Sequence, residues 1–124
     1  MALYDQLPIY KDSYDLLLLL YQISKNMDRD YKFTLGEKIK SAAADFIINI
    51  YRANSREDKS VILEEAKNQI EIIRLMLRVY KDLHQISIKD YIKVSEKLES
   101  CSKQVNAWYK SQKKQKASTC RSEF

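Results

Sequence analysis

Apolar residues recur along this chain at helical spacing in four separate segments. The first segment, about residues 10–27, follows Pro8 and contains five consecutive leucines from Leu16 to Leu20. Proline suits the first turn of a helix because its φ is already fixed near the helical value. Five leucines in a row point in every direction around a helix, so this helix is expected to be buried on more than one side.

The second segment begins with a helix-start motif. Thr34-Leu35-Gly36-Glu37 has the T-x-x-E form of a capping box, in which the threonine and glutamate side chains satisfy the first backbone N–H groups. It predicts a helix that begins there and ends near Asn54-Ser55. The apolar face of this helix follows at steps of three and four residues: Leu35, Ile39, Ala42, Phe46, Ile50 and Ala53.

The third segment, about residues 58–83, carries the most regular apolar repeat. Steps of three and four alternate strictly, as in the heptads of packed helices, through Leu63, Ala66, Ile70, Ile73, Leu77, Tyr80 and His84. A second stripe beside it is broader than one intramolecular groove demands: Ile62, Gln69, Ile72, Met76, Val79 and Leu83. Part of this helix is therefore expected to face another subunit.

The fourth segment completes the predicted architecture. Ser87 is the expected N-cap of a helix that reaches the 110s, with Asp90 at the positive end of its dipole. Four helices of comparable length with short loops predict an all-α fold, an antiparallel up-down-up-down four-helix bundle. The bundle is expected to span residues 1–116, followed by a disordered basic tail at 117–124. The inward face of the fourth helix is Tyr91, Val94, Leu98, Cys101, Val105 and Trp108.

The composition excludes several classes of protein. One glycine and one proline in 124 residues are too few for the turns of a β-sandwich or for glycine-rich phosphate loops. The longest apolar run, Leu16 to Tyr21, is far shorter than the roughly 18–20 residues of a membrane span. No secretory leader is visible at the N-terminus, so we expect a cytoplasmic protein that does not contact a membrane.

Catalytic and metal-binding residues are sparse. Cys101 and Cys120 are too few for a disulfide framework and are expected to be reduced. His84 is the single histidine, so a zinc or iron site with several imidazoles cannot form within one chain, and no metal or cofactor is expected. No pair of carboxylates stands out for acid–base chemistry. An enzyme that uses Cys101 or His84 is the least favoured alternative.

The net charge of +5 is concentrated at the C-terminal end. Residues 1–102 hold 16 basic and 16 acidic side chains, whereas residues 103–124 hold six basic residues and one glutamate. A basic terminal region is typical of proteins that bind the phosphate backbone, because neutralised phosphates release counterions. The alternative is a solvated helix end that only keeps the protein soluble.

Two sets of basic residues are the candidate binding site for nucleic acid or a protein partner. On the third helix, arginines one turn apart can contact phosphate or carboxylate groups in a bidentate manner; the set is Lys67, Arg74, Arg78 and Lys81. Internal pairing of this set with Glu71 and Asp82 is the equally weighted alternative. The fourth helix continues the charge with Lys89, Lys93, Lys97, Lys103, Lys110, Lys113 and Lys114.

The tyrosines and Trp108 could offer stacking surfaces for single-stranded bases. Tyr14, Tyr80 and Tyr91, however, fall on apolar faces and are expected in the core.

Five strings of the sequence resemble a known family: LPIYKDSYDLL at 7–17, YKFTLGEKI at 31–39, IYRAN at 50–54, IRLMLRVYKDL at 73–83 and QVNAWYKS at 104–111. They are similar to the accessory variability determinant (Avd) proteins of diversity-generating retroelements, within a group of four-helix bundles that includes the 23S ribosomal RNA intervening-sequence proteins. The latter branch typically carries an NIAEG-like stretch at the end of the second helix. Residues 49–54 depart from it, which favours the Avd branch.

The resemblance implies a non-enzymatic, basic bundle that assembles into a homopentameric barrel. Such a protein is bacterial or phage-encoded and binds the reverse transcriptase and nucleic acid, supporting mutagenic copying of a template RNA into cDNA. By analogy, Arg74 and Arg78 are the first candidates for the partner surface. The alternative is a structural oligomeric bundle that acts only as a protein–protein interaction module.

Overall fold

Four long helices and one short helix make up the described part of the chain. The computed structural model describes the backbone of residues 7–122 and side chains as far as residue 114. The helices are α1 (Pro8–Lys25), α2 (Arg29–Lys32), α3 (Leu35–Asn54), α4 (Ser60–Asp82) and α5 (Ile88–Ser122), and this part of the chain contains no strand. Each long helix packs against its neighbours along the chain, and α5 returns to α1. With short connections, this contact pattern is that of a four-helix bundle.

The heptad positions of α4 form the centre of the core, as predicted. Leu63, Ala66, Ile70, Ile73, Leu77 and Tyr80 are at most 2% exposed. The Tyr80 hydroxyl donates a hydrogen bond to the Leu35 carbonyl at 2.9 Å, which ties α4 to the start of α3. Burial raises the pKa of Tyr80 to about 12. This phenol therefore stays protonated and keeps its donor at neutral pH.

The leucine run of α1 is buried on one side within a single chain. Leu16 and Leu20 are fully buried, Leu17 and Leu19 are half-buried, and Leu18 is 44% exposed. Tyr14, expected in the core, is 47% exposed and lies beside Tyr10, with ring centroids 6.5 Å apart. The expectations that Tyr14 lies in the core and that α1 is buried on more than one side are therefore wrong for the single chain.

The start of α3 lies where the sequence predicts it, but the capping box does not form. The Thr34 hydroxyl donates to the carbonyls of Asp30 and Tyr31, both at 3.3 Å, and makes no cap hydrogen bond to α3. The Thr34 hydroxyl instead satisfies carbonyls at the end of α2, a short helix that the sequence did not predict and whose last carbonyls need donors. Glu37 pairs with Lys40 at 2.9 Å instead. At α5 the predicted cap is present, since Ser87 Oγ accepts the Asp90 N–H at 3.1 Å.

His84 ends α4 rather than extending its apolar face. It is exposed, and its φ of 57° places it in the left-handed region. Its N–H donates to the Lys81 carbonyl at 3.0 Å, and the Gln85 N–H donates to the Tyr80 carbonyl at 2.8 Å. These two bonds form a Schellman motif, in which glycine usually occupies the left-handed position. The heptad pattern therefore stops at Tyr80.

Replacing His84 by glycine is expected to raise the free energy of unfolding by about 0.5–1 kcal/mol. Glycine removes the clash of a Cβ in the left-handed region, and this gain exceeds its greater entropy loss on folding. Urea unfolding followed by circular dichroism measures the difference. Gln85→Gly is the control and should not stabilise the protein. An H84G variant that is no more stable than wild type would contradict this prediction.

The C-terminal end of α5 differs from the predicted boundary. Its backbone continues as helix past residue 116 to Ser122. The predicted disordered tail, 117–124, lies beyond the last described side chain, and its disorder stays a prediction.

Candidate nucleic-acid and partner interface

The structure distributes the predicted basic residues over different sides of the bundle. Contacts with α5 place three of them on the side of α4 that adjoins α5, which we call the α4–α5 edge: Lys67 contacts Tyr109, Arg74 contacts Glu99 and Lys81 contacts Tyr91. Arg78 lies one turn after Arg74 and borders this edge. Lys97 instead contacts α1. The basic residues of α4 and α5 therefore do not form one continuous surface.

Arg74 is held by two carboxylates. It donates to Glu99 Oε1 from Nε at 3.1 Å and from Nη2 at 2.6 Å, and it also pairs with Glu71 one turn earlier. Hydrogen bonds to Glu99 and then to Glu71 raise the pKa of Arg74. The internal pairing with Glu71 is thus present, and it links α4 to α5. A phosphate at Arg74 would compete with both carboxylates.

Arg78 differs from Arg74 although it lies only one turn away. It is exposed, and within the described residues no carboxylate pairs with it. A guanidinium in this state is available for a bidentate contact with phosphate or carboxylate. Of the two arginines, Arg78 is therefore the better placed to contact a partner.

Two half-buried tyrosines lie under lysines at this edge. Lys67 Nζ is 4.3 Å from the centroid of the Tyr109 ring, and Lys113 Nζ is 5.5 Å from the same centroid. Lys81 Nζ lies 5.1 Å from the centroid of Tyr91. Each contact is a cation–π interaction that places positive charge beside an aromatic ring. Alternating cations and rings are typical of grooves for single-stranded nucleic acid.

The α1–α5 interface uses Lys97 in a polar network. Its Nζ lies 3.5 Å from Asp12 and 3.6 Å from Asp15. Asp12 also accepts hydrogen bonds from Ser100 at 2.9 Å and Gln104 at 2.6 Å. Burial alone would raise the pKa of Asp12, but the two hydrogen bonds and Lys97 outweigh it and lower the pKa. Lys97 therefore contributes to helix packing.

Asp12→Asn is expected to destabilise the protein most at neutral pH. Because the pKa of Asp12 is lower in the folded state, its contribution is present above the pKa of the unfolded chain, about 3.9, and is lost as the pH falls through the folded value. The difference in unfolding free energy between wild type and D12N should shrink below about pH 4. Asp45→Asn controls for the loss of one carboxylate. A difference that is constant from pH 7 to pH 3 would contradict this account.

The outer face of α5 changes sign along its length. At 100° per residue, Glu96 and Glu99 share a face with Lys103, Lys110 and Lys114, and all five are exposed. Lys89 is exposed in the first turn, and Lys93 lines a cleft of about 180 Å³ together with Asp90. On this face of α5, positive charge is thus concentrated from Lys103 onward. We name Lys103, Lys110 and Lys114 the α5 lysine cluster.

The part of α5 around Trp108 lies beside the start of α1. Trp108 and Ala107 line a cleft of about 470 Å³ with Leu7 and Pro8. The α5 lysine cluster is therefore at the end of the bundle that is remote from α2.

The residues considered for catalysis are poorly placed. Cys101 is fully buried, and burial raises its pKa to about 12, so the thiol is not ionised at neutral pH. His84 is exposed at the end of α4. Within the described residues, no three histidine, cysteine or acidic side chains are grouped to hold a metal ion. No helix of that same part is long and apolar enough to cross a bilayer.

One apolar surface was not identified from the sequence. A cleft of about 420 Å³ between α1 and α3 is lined by Tyr10, Tyr14, Leu17, Ile47, Ile48 and Tyr51. We call this cleft, with the exposed Leu18 and Tyr21 beside it, the α1–α3 face. Its aromatic residues recur at helical spacing on α1, but periodicity alone does not distinguish a core face from an interface.

These features define a four-helix-bundle protein whose excess positive charge lies towards the C-terminal end of its last helix. The chain matches the family model described as bAvd-like over residues 7–112 and belongs to that family. This match confirms the resemblance to accessory variability determinant proteins. No protein with a curated description matches it.

Proposed function

We propose that this protein is a non-enzymatic, cytoplasmic accessory factor of a diversity-generating retroelement, which binds the reverse transcriptase and nucleic acid to support mutagenic retrohoming. The observation that carries the proposal is the α5 lysine cluster. These three exposed cations continue into the basic residues at the C-terminus, while residues 1–102 are neutral overall. A neutral body with one basic end fits a backbone-binding protein better than a general charge for solubility.

The mechanism is electrostatic scaffolding. Lysines of α5 and the free guanidinium of Arg78 bind phosphates of the template RNA or cDNA and release counterions. Tyr109, between Lys67 and Lys113, adds a ring beside these cations. Such an arrangement holds a flexible strand near the polymerase without reading its sequence.

Self-assembly is part of the proposal, and the family resemblance supports a homopentamer. Soluble monomers rarely expose large contiguous apolar patches. The α1–α3 face exposes Tyr14, Leu18, Tyr21, Ile48 and Tyr51, each between 44% and 53%. Covering this surface with another subunit would also bury the leucine-rich helix α1 on its second side.

The alternative function, a protein–protein interaction module without nucleic acid, is favoured by a different observation. Ile88 and Ile92 are 63% and 51% exposed at the start of α5, far from the α5 lysine cluster. An exposed apolar pair of this kind is typical of a surface that binds another protein. In that case the affinity for the reverse transcriptase would fall only weakly with salt.

Co-purification with the reverse transcriptase of the same retroelement tests the partner. After nuclease treatment, the two proteins are expected to elute together from a sizing column, and their ratio reports the number of subunits per polymerase. Separate elution at low salt would contradict direct binding to the polymerase.

A further inference from the structure

Two exposed apolar surfaces lie on different helices. The first is the α1–α3 face. Along α1 its outermost residues follow at steps of three and four, so they form one row parallel to the helix axis: Lys11, Tyr14, Leu18, Tyr21 and Lys25. A lysine thus stands at each end of the apolar row. A third, Lys40, lies 5.3 Å from the centroid of Tyr21.

The second surface is the outer face of α4. Val61, Ile72 and Leu75 are 67%, 48% and 59% exposed there, on the side of the helix away from buried Ile73. We call them, with the charged residues between them, the outer α4 face. Three exposed acidic residues border the apolar ones: Glu64, Glu65 and Asp82.

The two surfaces are complementary in charge. The α1–α3 face has an apolar centre with Lys11, Lys25 and Lys40 around it, against two acids: Glu37, which pairs with Lys40, and the exposed Asp45 one turn before Ile48. The outer α4 face has an apolar centre with an acidic border. Two copies of either face would bring like charges together, whereas one of each brings opposite charges together around apolar contacts.

We propose that the α1–α3 face of one subunit packs against the outer α4 face of a second copy of this chain. A contact between two unlike faces is heterologous, so each subunit keeps one free face for the next copy. The inference rests on the proposed self-assembly and specifies its surfaces. It leaves the α5 lysine cluster of every subunit uncovered for nucleic acid.

A pair of variants tests the assignment because each blocks one face. Ile48→Glu places a carboxylate in the α1–α3 face, and Leu75→Glu places one in the outer α4 face. Both side chains are more than half exposed, so the fold should persist, which circular dichroism checks. Ile92→Glu is the matched control, because Ile92 is 51% exposed on α5 outside both faces. Multi-angle light scattering gives the masses.

The expected result is a wild-type and I92E oligomer of equal mass, with I48E and L75E each monomeric. An equimolar mixture of I48E and L75E should form a dimer of two chains, because one intact copy of each face remains. Either variant assembling like wild type, or a mixture that stays monomeric, overturns the assignment of the faces while the proposed function stands. A monomeric wild type overturns self-assembly as well.

Discussion

Replacing Lys103, Lys110 and Lys114 together by alanine is expected to weaken binding to single-stranded RNA by about 10²–10³-fold at 0.1 M salt, since each lost phosphate contact removes roughly 0.7–0.9 of a decade under these conditions. All three side chains are exposed, so the bundle should keep its stability. Fluorescence anisotropy with a labelled oligonucleotide measures the affinity.

The control for this triple variant removes the same charge elsewhere. Arg29, Lys32 and Lys38 lie at the α2 end of the bundle, away from the tip of α5. Their joint replacement by alanine should change the affinity much less, because screening limits the influence of distant charges. Equal losses in both triple variants would show that net charge alone determines binding and would contradict a site on α5.

Phe46→Ala is expected to lower the free energy of unfolding by about 3–5 kcal/mol, which is the usual cost of emptying a large aromatic site in a core. Phe46 is 0% exposed at the centre of α3. Ile92→Ala, at a site 51% exposed, should cost less than about 0.5 kcal/mol. Urea unfolding measures both. A loss below 1 kcal/mol for F46A would contradict the packing described for α3.

Much of the fold follows from sequence periodicity. The buried residues of α3 and α4 recur at helical steps, because burial in a bundle selects one side of each helix. The ends of the helices were harder to predict. His84 continues the heptad spacing of α4 but takes the left-handed position that ends the helix, and Thr34 serves the preceding α2 instead of capping α3. Local hydrogen bonds determine the roles of His84 and Thr34, and the spacing of apolar residues carries no information about these bonds.

The candidate site was only partly predictable. The sequence places Arg74 and Arg78 on one face of α4, yet Glu99, 25 residues from Arg74, decides that Arg74 is paired while Arg78 stays free. Lys97 is likewise held by Asp12, which is distant in sequence. Such pairings depend on which helices become neighbours. The exposure of the α5 lysine cluster could be predicted without knowing which helices are neighbours, because the residues around it on the helix surface are polar as well.

Backbone binding by the basic end of α5 is tested by a salt titration with single-stranded RNA and with duplex DNA, on protein whose mass has been fixed by light scattering. We expect an oligomer whose binding constant falls steeply with salt on a double-logarithmic plot, with a slope that the triple lysine variant reduces by about two to three. An oligomer or a monomer that binds neither nucleic acid at low salt would contradict the account.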